Sequence, residues 1–237
     1  LFNERPTQEQ RMKRQLLALI IALAGGLASG LPASGFDLGK HFEVTITNLT
    51  RGQQFTPILV ATHKAGVKLF VRGQPASPEL AILAEEGDTA PLTGLLAATP
   101  EVLDITNSGA LLNPGASVTL RVKTRGAFKH LSVASMLIPT NDGFFALNGV
   151  KGPKGFRKAT HTSVAYDAGS ERNDELCASI PGPSFVECDG PGGGGKPTGD
   201  EEGYVHIHAG IHGIGDLNAA ERDWRNPVAQ IVIRRVR

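Results

Sequence analysis

Between Tyr166 and Glu175 the chain reads Tyr-Asp-Ala-Gly-Ser-Glu-Arg-Asn-Asp-Glu. Four carboxylates (Asp167, Glu171, Asp174, Glu175) fall within nine positions, and only Arg172 offsets them. Carboxylates this close repel one another, and each pays to leave water. A hard cation relieves both effects, because Ca²⁺ takes several oxygen ligands from flexible loops. The competing reading is a solvated acidic loop after a strand. The spacing is not that of an EF-hand: counting from Asp167, position three is Gly169, position six is Arg172 and position twelve is Ala178. One more acid belongs with this set. Asp142 stands alone in a basic segment, at the end of an apolar run and next to Gly143. Asn-Asp-Gly is also a strong turn signal. Asp142 and Asp167 each stand at the end of an expected strand, so neighbouring strands can bring them together. Gly169 lets the backbone turn tightly around an ion.

A second constellation is His206, His208 and His212. The first two face one side of an expected strand, a common way to present imidazoles to Zn²⁺ or Cu²⁺. His212 folds back as a third ligand in this reading, Asp216 orients one ring, and an open fourth position permits metal-assisted hydrolysis. Against it stands local hydrogen bonding at a strand–loop junction, with Gly210, Gly213 and Gly215 marking an irregular backbone. Gly190 to Pro197 nearly spells a phosphate loop, but Pro197 replaces the Ser/Thr after Lys196, and no strand–helix frame surrounds it. No Gly-x-Ser-x-Gly nucleophile elbow occurs.

The elements that must position these residues are short strands. Phe42–Asn48 and Ser117–Val122 alternate apolar and polar side chains, Phe55–Ala61 and Val67–Val71 read as extended, and Leu131–Ile138 reads as a central strand. Ser163–Tyr166 leads into the acidic loop, Tyr204–His208 alternates, and Val228–Val236 closes the chain. Ser77 and Pro78 open one short helix with Leu80, Leu83 and Ala84 on its apolar face, and Gly87 ends it. Closely spaced strands, Gly/Pro turns and little helix predict an all-β, antiparallel β-sandwich with one or two short helices.

The 237 residues, 41% of them apolar, suffice for one good-sized core. The net charge of +1 hides two blocks: eight Lys/Arg against Asp142 between residues 121 and 160, and nine Asp/Glu against Arg172 and Lys196 between 163 and 203. Such blocks either attract each other or serve different partners. Arg11, Lys13 and Arg14 precede an apolar run from Leu16 to Ala24 and then small residues, the pattern of a secretory signal. The expected organisation is a leader over residues 1–34 and one domain over 35–237. The apolar run is too short to span a bilayer comfortably, and no transmembrane segment is expected. Cys177 and Cys188, the only cysteines, suggest a disulfide closing a small loop in an exported protein.

Several stretches, taken in order, resemble the spondin N-terminal domain in its bacterial form. They are Phe42–Asn48, Phe55–His63, Gln74–Ala81, Ser135–Phe145, Tyr166–Glu171 and Pro227–Ile233. The resemblance implies a β-sandwich similar to C2 domains, with a calcium ion held by acidic side chains among the loops at one end. The family's aspartate in a Pro-x-x-Asp-aromatic stretch matches Asp142, with Gly143 placed before the aromatics. Its Asp-Ala-Gly-Thr/Ser motif matches Asp167 to Ser170. Animal members carry another aspartate four residues further on, where this chain has Glu171, a longer ligand. Asn173 and Asp174 are reserve candidates. The expectation is a secreted or periplasmic, non-enzymatic, adhesion-type module. It binds Ca²⁺ through Asp142, Asp167 and Glu171 and contacts matrix, glycan or a cell-surface protein, not nucleic acid. The alternative is a periplasmic Zn/Cu metalloprotein using His206, His208 and His212, with hydrolase chemistry open to it.

Overall fold

A computed structural model describes residues 40–155, 157–183, 185, 187–188 and 199–236. The expected leader and nearly all of the glycine-rich stretch 190–199 lie outside the described residues. Among the described residues, eleven strands form two antiparallel sheets. The smaller sheet has the order β5 (Ser117–Thr124), β1 (Lys40–Asn48), β11 (Ala229–Val236), β8 (Lys158–Ser163). The larger runs β10 (His206–Ile207), β9 (Ala165–Asp167), β7 (Gly143–Lys151), β6 (His130–Ile138), β3 (Leu59–His63), β4 (Val102–Asn107), with β2 (Gln54–Phe55) pairing on β6.

The alternation in β1 places Phe42, Val44 and Ile46 in the layer between the sheets, where they meet Phe55, Val133, Phe145, Ile231 and Ile233. A second apolar layer lies on the other face of the larger sheet. There Leu59, Ala134 and Phe144 meet two helices, α1 (Pro78–Glu86) through Leu80 and Leu83, and α2 (Ala90–Ala97) through Leu92 and Leu96. The two buried faces explain the unbroken burial of β6 from Leu131 to Ile138, which a sheet with one wet face would not show. Adjacent Phe144 and Phe145 of β7 therefore enter opposite cores. Helix α1 has the expected ends. The Ser77 side chain accepts from the Leu80 N–H, and Gly87 caps the C-terminus in the left-handed region. A four-residue helix, α3 (Ala219–Arg222), precedes β11.

One expected strand is absent. Val67–Val71 is a loop that buries Leu69 and Phe70 in the helix-side core. Its backbone is bound by a side chain rather than by a strand. Asn148 of β7 accepts from the Leu69 N–H (2.8 Å) and donates to the Phe70 carbonyl (2.7 Å). Phe55–Ala61 is likewise interrupted, as β2 and β3 separated by Thr56–Ile58.

Because both faces of β7 are covered, Phe144→Ala and Phe145→Ala should each cost about 3–5 kcal/mol in chemical denaturation. Ile207→Ala, at an exposed position, should stay within about 0.5 kcal/mol of the parent. A negligible cost at Phe144 would mean that the helices do not seal that face.

Candidate metal centre

Strand pairing brings the two aspartates together. The β6–β7 turn places Asp142 immediately before Gly143, and Gly143 pairs with Asp167 across β7 and β9. The Ala168 N–H donates to the Asp142 carbonyl (3.2 Å), locking the two strand ends. On its other side Asp167 pairs with His206 of β10. Asp142 and Asp167 are both 0% exposed.

Each carboxylate is held by the loop that follows β9. Asp142 Oδ2 accepts from the backbone N–H groups of Ser170 (2.8 Å) and Glu171 (3.1 Å). No donor among the described residues reaches its Oδ1. Asp167 Oδ1 accepts from the Gly169 N–H (2.8 Å), and Oδ2 from the Asn173 amide (2.6 Å). Gly169 sits at φ +66°, and a Cβ there would stand 2.4 Å from the Tyr204 carbonyl oxygen. The tight turn anticipated at Gly169 thus serves two ends, a left-handed backbone and the close passage of the 203–205 segment, whose Gly203 N–H donates to the Gly169 carbonyl.

The electrostatics follow from this burial. Desolvation, then the charge of Asp167 beside it, pushes the Asp142 carboxyl well above the ordinary carboxylate range, and its two backbone donors pull back only in part. Asp167 is raised chiefly by burial, against the hydrogen bonds from Asn173 and Gly169, with Glu202 adding to the rise and a side-chain hydrogen bond with Asp142 opposing it. More acids converge on this end. Glu171 is 2% exposed, and its N–H serves Asp142. Glu85, in the last turn of α1, is raised by burial while a hydrogen bond from Ser170 opposes the rise. Asp167, Glu202 and His206 present ligand atoms that all lie within 4.8 Å of one another. His206 Nε2 stands 3.7 Å from Asp167 Oδ1. This is the one such group of three among the described residues.

The three histidines are therefore not gathered around one point. His206 joins the acids, whereas His208 is buried beneath Trp224, with ring centroids 5.0 Å apart. Its Nδ1 accepts from the Gly210 N–H (3.0 Å). Burial, reinforced by His206 and His212, pushes it down to about 3, so it is a neutral core imidazole. Asp216 accepts from the Cys177 N–H (2.9 Å) and so ties down the acidic loop.

Two residues of the opening acidic stretch have structural roles that spacing did not reveal. Glu175, at φ +57°, accepts from the backbone N–H groups of His212 (2.5 Å), Gly213 (2.7 Å) and Ile214 (3.0 Å). Asp174 takes the Asn141 amide (2.9 Å) and the Ser179 hydroxyl (2.8 Å). The disulfide between Cys177 and Cys188 closes the segment beyond them. Glu202 and Glu85 carried no signal in sequence, since each reaches the site from a distant element.

An ion here would meet hard carboxylate oxygens from Asp142, Asp167 and Glu202, donors of the kind Ca²⁺ takes, while Glu171 is tied to the pair through its backbone N–H and the ligand-spaced group of three contains neither Asp142 nor Glu171. The free Oδ1 of Asp142 is the feature that fits a cation best, because buried carboxylate oxygens are costly without a partner.

The Spondin_N family model matches residues 40–172. No curated protein matches the chain. The match takes in Asp142, Asp167 and Glu171 and stops before Glu175, the disulfide, β10 and β11. β11 nevertheless fills the centre of the smaller sheet, between β1 and β8, so the fold continues past the matched span. With more than half of its length matched, the chain belongs to the spondin N-terminal domain family.

Proposed function

We propose that the protein is a calcium-binding, non-enzymatic module of the extracellular type, in which one ion bound by Asp142 and Asp167 fixes the acidic end for contact with a matrix, glycan or cell-surface partner. Glu171 completes the acidic set in this reading. The observation that carries it is the Asp142 Oδ1 atom, buried without a donor beside a second fully buried carboxylate. Such a pair needs either a shared proton or a cation. Burial of both acids beneath a hydrogen-bonded loop suits a resident ion rather than a site open to turning over substrate. The disulfide suits an oxidising compartment, and no described helix is long and apolar enough to cross a membrane.

A second reading keeps the transition-metal alternative alive in reduced form, with His206 beside Asp167 and Glu202 instead of with the other two histidines. An imidazole with two carboxylates suits Zn²⁺ as well as Ca²⁺ suits the acids alone.

Calcium at a hundredfold excess over its Kd stabilises the folded state by about 2.7 kcal/mol. For a domain of this size that raises Tm by roughly 5–10 °C. Chelator should reverse the rise, and Asp167→Asn should abolish it. An Asp167→Asn protein that gains as much from calcium as the parent would place the ion elsewhere. Stoichiometric zinc lost on His206→Ala, with no calcium response, would select the second reading.

The pH dependence has a definite sign. Both aspartates have folded-state values above their ordinary value of 3.8, so above about pH 4 the folded state holds more protons than the unfolded one. Stability of the metal-free protein therefore falls as pH rises from about 4 through neutrality. Asp142→Asn should flatten that slope and raise Tm without metal at pH 8, because the amide keeps an acceptor for Ser170 and Glu171 and adds a donor towards Asp167. Calcium should restore stability to the parent most at high pH and leave the variant unchanged. Thermal melts across pH, with and without calcium, read out both effects.

A further inference from the structure

The basic block lies at the other end of the molecule. β7 starts at the acidic end, where Gly143 meets Asp167, and finishes at Lys151, opposite His130 of β6. Eight steps along a strand, at about 3.3 Å each, put roughly 26 Å between these ends. Around Lys151 the chain forms a cavity of about 260 Å³ lined by Lys129, Lys151, Lys154 and Arg235, with Phe42 and Gly152 among its walls. No acidic side chain lines it.

The floor of the cavity is packed backbone, and Lys129, Lys151 and Lys154 stand exposed around it. The Gly152 N–H donates to the Lys129 carbonyl (2.8 Å), which joins the loop that carries Lys129 to the end of β7 at Lys151. A Cβ on Gly152 would lie 2.4 Å from the Phe42 ring, so only glycine lets this backbone close over the phenylalanine. Register places Arg235 beside Phe42, with Phe42 in turn opposite Val122 on β5. The nearby cations that do have acidic partners are on other positions, such as Arg234 with Glu43. Among the described residues, none of the four lining cations forms an ion pair. Their field is felt locally, since Lys129 and Lys151 add to burial in holding His130 below its ordinary value.

We propose that this basic end is a binding site for an anionic polysaccharide, one sulfate or carboxylate group of which enters the cavity while the chain runs over the flanking Lys123, Arg125 and Lys158. Four cations around one concavity concentrate field where an oxyanion fits. Lysine heads dominate, which suits spread charge along a flexible chain better than bidentate recognition of one fixed group. The large exposed apolar side chains of the described residues (Leu49, Val71, Leu95, Leu111, Leu176, Tyr204, Ile207, Ile214) all lie outside the cavity lining, so a membrane would find charge here without an apolar anchor. The site is separate from the calcium reading and does not need it.

The test compares the full chain with Lys129→Gln/Lys151→Gln/Lys154→Gln and with a control of equal charge loss elsewhere, Arg51→Gln/Arg72→Gln/Arg225→Gln. Heparin is the probe, neutral dextran the blank, and vesicles with and without anionic phospholipid the competing surface. Calcium is removed by chelator throughout. The parent and the control should bind heparin alike, and the lysine triple should bind at least tenfold more weakly. The slope of log Kd against log salt should fall by roughly two to three in the lysine triple. Unchanged melting temperatures confirm that all three proteins fold. Should the lysine triple melt early, the single Lys154→Gln variant, at an exposed loop position, should still weaken heparin by a measurable factor. Equal losses in the triple and the control, heparin binding no stronger than dextran, or tighter binding to anionic vesicles than to heparin would each overturn the proposal. Because calcium is absent, neither success nor failure here bears on the acidic end.

Discussion

The acidic end is governed by one piece of backbone pairing. Gly143 and Asp167 are partners across β7 and β9, and Asp142 is covalently next to the first of them. Once the sheet forms, two carboxylates must occupy a space that water cannot reach. Sheet formation is driven by apolar burial along β6 and β7 and does not depend on those acids. The hydrophobic layers thus impose an electrostatic cost, and the loop after β9 is arranged to reduce it. Backbone N–H groups of Gly169, Ser170 and Glu171 all point at carboxylate oxygens. Gly169 is what allows three consecutive donors to turn inward.

Comparison of the buried acids separates scaffold from site. Glu175 takes three backbone N–H groups, with both oxygens served. It sits in a nest of amides and pins the 212–214 segment to the acidic loop. Asp142 is equally buried, yet one of its oxygens has no donor. Folding serves Glu175 fully and leaves Asp142 half served, so the two buried acids differ in what their surroundings supply. Asp174 and Asp216 belong with Glu175, because their oxygens are taken by Asn141, Ser179 and the Cys177 N–H. The density of acids along residues 167–175 is therefore not a measure of ligand number.

The parts of this that sequence disclosed are those with local causes. β1, β5 and β11 alternate because one face of each is buried, and α1 carries its own start and stop in Ser77 and Gly87. α2 escaped notice because no side chain caps its start and Thr93 and Gly94 weaken it, and burial of Leu92 and Leu96 holds it instead. β8 is an edge strand of mostly polar residues, and β4 is half-exposed along its length, so neither shows a clear period. Asp142 and Asp167 could be singled out by type and neighbourhood. Their juxtaposition comes from register, which a single strand does not reveal. The histidine reading went astray for a similar reason. His206 and His208 are two apart, but β10 ends at Ile207, and the chain then turns His208 under Trp224.

The two charged blocks posed a choice between mutual attraction and separate partners. Neighbouring blocks in sequence would pair most easily by folding back on each other. The sandwich prevents this. β7 carries the chain from the acid pair to Lys151, and β8 and β9 carry it back from Lys158 to Asp167. Each block is thus delivered to its own end of the same sheets, beyond the roughly 8–10 Å over which charges act through physiological salt. A near-neutral total then says little about what the surface attracts. Two ends of opposite sign, each too far away to screen the other, keep their own local fields.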